Sequence, residues 1–107
     1  MEKIFFENIV KQAIKRILEV VQPKRIILFG SAASGKIHAN SDIDLLVVIP
    51  SGMHRRNTAQ KIYRNLVGLG FAADIVVVTE DDVERFKDNS GMIIQPALKE
   101  GKLLYAA

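Results

Sequence analysis

Between Ile27 and Pro50 the chain reads ILFGSAASGKIHANSDIDLLVVIP, and few folds can accommodate such a stretch. An apolar run stops at Gly30-Ser31, ten residues intervene, and Asp42, Ile43 and Asp44 open a second apolar run. Side chains alternate faces in an extended chain, so Asp42 and Asp44 leave the same face about 7 Å apart. Two carboxylates so placed repel each other unless a cation lies between them. A divalent metal bound through oxygen is the natural occupant.

The chain beyond Asp44 supplies a third carboxylate. The second strand covers residues 43–49 and is broken by Pro50-Ser51-Gly52. Ala59, Ile62, Tyr63, Leu66 and Val67 then recur at helical spacing over residues 54–69, with Arg55, Arg56, Lys61 and Arg64 on the polar side. Gly68 and Gly70 end that helix, and ADIVVVT at 73–79 is a third strand. A strand-helix-strand unit favours parallel strands, which brings their starts together and sets Asp74 beside Asp42 and Asp44. For Gly30-Ser31 to reach that end, the first strand (25–29, RIILF) must run antiparallel to the second. The expected product is a small mixed sheet with three carboxylates and a Gly-Ser turn at one rim. Its carboxylates sit at the amino ends of the parallel strands, whereas doubly wound sheets usually bind ligands at carboxyl ends.

The remaining segments read as support within a single α/β domain spanning 1–107, its helices on one face of the sheet. Ile4, Phe5, Ile9, Val10, Ala13, Ile14, Ile17, Leu18 and Val21 predict an amphipathic helix over 3–21, ended by Pro23. Thr79 followed by Glu80, Asp81 and Asp82 predicts an N-cap with an acidic first turn, opening a helix through Phe86. A helix before Gly101 and an extended KLLY tail close the chain. Tyr63 and Tyr105 belong at the edge of the core, and His38 and His54 at the surface.

Composition narrows the chemistry. With no Cys and two His, thiolate and zinc sites are excluded or poorly supplied, which leaves a hard ion on oxygen ligands. No apolar run approaches the ~20 residues of a membrane span, so a cytoplasmic protein is expected. A net charge of +3 is too mild for the Lys/Arg patch of a nucleic-acid binder. It suits an anionic partner such as a nucleotide, and equally an ordinary solubilising surface. The rim itself suits phosphoryl-group chemistry. Backbone N–H groups at Gly30-Ser31 and the Ser31 hydroxyl can hold phosphate oxygens, and a third carboxylate can take the proton of an attacking hydroxyl.

Gly30-Ser31, ten residues, Asp42-x-Asp44 and a later Asp74 resemble the nucleotidyltransferase superfamily that includes DNA polymerase beta and the kanamycin nucleotidyltransferases. The short length, with LFGSAASG, NSDIDLLVVI and ALKEGKLLY, is similar to its minimal nucleotidyltransferase (MNT) domain branch. The resemblance covers nearly the whole chain and implies the polymerase beta-like fold. It implies Asp42, Asp44 and Asp74 as catalytic carboxylates holding one or two Mg2+ ions, and Gly30 and Ser31 as the phosphate-binding turn. It further implies AMP transfer from ATP, or another nucleoside triphosphate, to a hydroxyl of a HEPN-domain toxin, which makes this chain an antitoxin. In that family the Gly-Ser is commonly followed by arginines. Here the next residues are Ala32-Ala33-Ser34-Gly35-Lys36, leaving Lys36, Arg55 or Arg56 as substitutes. The alternative is a non-catalytic antitoxin that neutralises its partner by docking.

Overall fold

The second apolar run of the sequence, LLVVI, contains no alternation, as a strand covered on both faces requires. In the computed structural model, which describes residues 3–30, 33, 42–89 and 91–107, this run is the most enclosed element. It belongs to β2 (Ile43–Ile49), where every residue except Asp44 is buried. On one side β2 pairs antiparallel with β1 (Arg25–Phe29), and on the other parallel with β3 (Ala73–Thr79). The opposed directions expected for the first two strands, and the parallel second pair, are both present.

A fourth strand, β4 (Lys102–Ala106), pairs antiparallel with β1, giving the order β3-β2-β1-β4. The extended tail thus becomes a sheet edge. Gly101 makes the turn into it possible, because a Cβ there would run into Ala97 O, Ile27 Cγ2 and Leu28 O.

Among the described residues, four helices complete the fold: α1 (Lys3–Val20), α2 (Arg55–Asn65), α3 (Glu80–Phe86) and α4 (Ile94–Glu100). On one face, Phe6, Val10, Ala13 and Ile17 of α1 and Ile62 of α2 pack on Ile43, Leu45, Val47 and Ile49. On the other, Val83 of α3 with Ile94 and Ala97 of α4 packs on Leu46, Val48, Ile27 and Val78. The expectation of helices on one face is therefore corrected. Both faces are covered, and the unbroken apolar run of β2 is the physical reason.

The apolar stripe of α2 is also rotated from the sequence expectation. Thr58, Ile62 and, just past the helix, Leu66 are buried, while Tyr63 and Val67 are 42% and 78% exposed. Thr58 fits the core because its hydroxyl donates to His54 O at 2.8 Å. His54 is a surface residue with a structural task, its Nδ1 capping α2 by accepting the Asn57 N–H at 3.2 Å.

At the start of α3 the predicted cap is a reciprocal box. Thr79 Oγ1 accepts the Asp82 N–H at 3.1 Å, and Asp82 Oδ2 accepts the Thr79 N–H at 3.0 Å. The Thr79 backbone bond holds the Asp82 carboxyl below its ordinary range, helped by the Thr79 hydroxyl and Arg55 and opposed by burial. A depressed carboxylate contributes stability above its unfolded pKa and loses it as pH falls through the folded value. Asp82→Ala should therefore cost about 1 kcal/mol near neutral pH, and thermal melts should show the difference fading in acid.

Candidate active site

Each carboxylate of the rim is placed by backbone register. Asp44 is the register partner of Phe29 across the antiparallel pair and of Asp74 across the parallel pair. Parallel neighbours lie about 4.8 Å apart, so Asp44 and Asp74 stand side by side at the starts of β2 and β3. Asp42 lies one residue before β2 and is exposed. The structure thus brings together the three carboxylates that the sequence singles out, at the amino ends of the parallel strands.

Gly30 lies at the carboxyl end of β1 with φ +75, in the left-handed region. Its missing Cβ matters as much as its backbone angle, because a Cβ there would collide with Asp44 Oδ2 and lie 3.1 Å from Asp44 Cγ. The Asp44 carboxylate lies over the bare Gly30 Cα. Ala33 N–H donates to Gly30 O at 3.2 Å, which curls the chain back at this point. Ser31, the other half of the expected phosphate-binding turn, and Lys36 and His38 lie outside the described residues.

Burial, followed by the negative charges of Asp74 and Asp42, raises the Asp44 carboxyl above its ordinary range. Among the described residues, the ion pairs are Arg55–Asp82 and Lys87–Glu84, and neither involves this rim. The rim is an accumulation of negative charge on oxygen donors, which is the chemistry a hard divalent cation selects. As the side chains are placed, no three His, Cys, Asp or Glu among the described residues form a group that could hold a metal ion. The donor set fits Mg2+ in kind, without forming a closed cage.

Arg55 does not replace the missing arginines. It sits at the start of α2, bound to Asp82 Oδ2 at 3.0 Å, beyond the carboxyl ends of β2 and β3. Five strand rises, about 17 Å, separate that end of β2 from Asp44. Arg56 is its neighbour in the same first turn. A cavity of about 390 Å3 beside Pro23, Pro50 and Tyr105 also lies at that far end, away from the rim.

Sequence reasoning missed Tyr63. It stands in the last turns of α2, and its hydroxyl accepts the Ile75 N–H at 2.8 Å and lies 3.4 Å from Asp74 Oδ1. No local signal marks it: Tyr63 falls on the apolar spacing of Ala59, Ile62 and Leu66, and only the rotation of the buried stripe toward Thr58 and Ile62 leaves its hydroxyl free to reach β3.

A four-stranded mixed sheet of this order, with an acidic rim opposite a glycine turn, is the polymerase beta-like nucleotidyltransferase fold. The chain belongs to the nucleotidyltransferase domain family, whose pattern it matches over residues 9–104. A candidate nucleotidyltransferase from Sulfolobus solfataricus shares the fold, with a TM-score of 0.64, 20% identity, and 92% of this chain and 78% of that one covered. A toxin-antitoxin crystallised with AMP-PNP is similar at 29% identity and TM-score 0.59, covering 90% of this chain and 73% of that one. A doubly mutated MntA-HpeT toxin-antitoxin is similar at 25% identity and TM-score 0.62, covering 91% and 73%. No curated protein matches the sequence. Among the described residues, no helix is long and apolar enough to cross a membrane.

Proposed function

We propose that this chain moves AMP from ATP onto a hydroxyl of a protein partner, and that the partner is a HEPN toxin which the transfer neutralises in the cytoplasm. The observation that carries this reading is the register of Asp44 with Asp74, with Asp42 beside them and Gly30 beneath. It is supported by the similarity to a toxin-antitoxin crystallised with AMP-PNP and to MntA-HpeT.

In the proposed reaction the acceptor oxygen attacks the α-phosphorus in line, the bond to the bridging oxygen breaks, and pyrophosphate leaves. Asp74, the outermost of the three on the edge strand, accepts the acceptor's proton. The bare Cα of Gly30 makes room for the Asp44 carboxylate, and the backbone N–H groups of Gly30 and Ser31 hold phosphate oxygens. Asp42 and Asp44 would supply oxygen ligands for one or two Mg2+ ions, with Asp74 joining them. When bound, such a metal would neutralise phosphate charge. Without it, the carboxylates would repel the triphosphate.

Incubating the protein with α-labelled ATP, Mg2+ and a HEPN partner should place label on the partner, and EDTA should abolish the transfer. If Asp42→Ala and Asp44→Ala protect cells from the toxin as well as the unaltered chain, neutralisation is by docking and the transfer reading fails.

A further inference from the structure

The β-α-β crossover has a consequence at the rim. Because α2 starts beyond the carboxyl ends of β2 and β3 and runs back toward their starts, its last turns arrive beside the carboxylates. Tyr63 there reaches the outer edge of β3, which no other strand among the described residues covers. Its hydroxyl accepts the Ile75 N–H at 2.8 Å, which uses an oxygen lone pair and leaves the phenolic proton to be donated. Two acceptors stand at 3.4 Å, Asp74 Oδ1 and Ile75 O. A carboxylate is the stronger acceptor of the two. Among the hydrogen bonds between described residues, this is the contact that reaches any of the three rim carboxylates.

We infer that Tyr63 is a positioning residue for Asp74, its hydroxyl tied to the β3 backbone and orienting the carboxylate that takes the acceptor's proton. This rests on the function proposed above. Asp74 is exposed on an edge strand, where an untethered aspartate turns freely about χ1. Tyr63 is rigid by comparison. Its helix is anchored through Asn65, which donates to Arg16 O at 2.7 Å and to Glu19 Oε1 at 3.0 Å on α1. The ring is half-exposed, so it borders the space from which an acceptor approaches.

The test compares Tyr63→Phe, Asp74→Asn and the double variant by two readouts. The first is steady-state transfer: Tyr63→Phe should lower kcat about 10–100-fold, the usual effect of removing a group that orients a functional side chain, with KM for ATP unchanged. In the Asp74→Asn background the same change should add nothing, whereas a purely structural role would add its loss there too. The second readout needs no activity. Three-bond NMR couplings at Asp74 should report a single χ1 rotamer in the unaltered protein and averaged rotamers in Tyr63→Phe.

Unchanged kcat and couplings in Tyr63→Phe would overturn the assignment. So would an AMP adduct on Tyr63 itself, which would make it an acceptor. If the unaltered protein transfers nothing to any partner, the proposed function fails, and the couplings alone decide the role of Tyr63. Folding is not at risk in the Phe variant, since the ring is kept and water can reach the part-buried Ile75 N–H at the sheet edge beside the half-exposed ring.

Discussion

Asp44→Asn is expected to lower nucleotidyl transfer on the order of 10²–10³-fold, as loss of one preorganised charge-stabilising group does, while raising the Tm of the metal-free protein. The two effects share one cause. Burial and the charges of Asp74 and Asp42 raise the Asp44 carboxyl, so folding forces an ionised group into a place that disfavours it. A raised carboxyl contributes its full stability below the unfolded pKa and loses it as pH rises through the folded value. The Asn side chain carries no charge to lose. Its advantage should thus be absent in acid, grow across that window and stay constant toward neutral pH. In a chain of this size each kcal/mol moves Tm by roughly 4–8 °C, so melts in EDTA resolve even a modest difference. Added Mg2+ should reverse the order, stabilising the unaltered protein and leaving the variant unmoved. A variant Tm below that of the unaltered protein in EDTA near neutral pH would show that Asp44 is held by a favourable partner instead.

Gly30→Ala is expected to cost about 2–4 kcal/mol and to abolish transfer, combining left-handed backbone strain with overpacking. The collision is with the Asp44 carboxylate itself, so the damage falls on a group that the proposed reaction uses. Gly52 offers a matched control: its φ is +94, but an added Cβ would meet nothing within 4 Å. Gly52→Ala should show the strain alone, about 1–2 kcal/mol. Putting Gly30→Ala into an Asp44→Ala background removes the colliding oxygen, so its cost should fall to the Gly52 level. Chemical denaturation of the four variants measures this coupling directly. Additive costs would show that Gly30 and Asp44 do not contend for the same space.

Much of this arrangement is legible in the residues. The parallel pairing of β2 and β3 can be read because each begins with an aspartate and a helix intervenes, and the observed Asp44–Asp74 register is the consequence. The antiparallel β1 comes from requiring Gly30 to meet those carboxylates. Other features rest on tertiary contacts that leave weak local traces. At seven residues each, α3 and α4 span two turns, too few for an apolar period to declare which face of the sheet they cover. Leu103 in β4 is 55% exposed, so the KLLYA edge lacks the alternation that marks a half-buried strand. Arg55 looks available as a substitute cation, because sequence spacing does not show that a helix begins a whole strand length from the place where the previous strand began. The apolar ring of Tyr63 suggests the core edge, whereas its hydroxyl makes the contacts with Ile75 and Asp74.

The enclosure of β2 bears on how the rim survives thermal fluctuation. Backbone amides exchange through openings that range from fraying at an edge to complete unfolding, and the innermost strand exchanges by the costliest route. Asp44 rides on that strand, with β1 and β3 on its flanks and apolar layers above and below. Fraying of β4 or of α4 leaves it in place. Asp44 is thus among the last residues of the molecule to lose its place, and heat should displace it together with the fold rather than ahead of it.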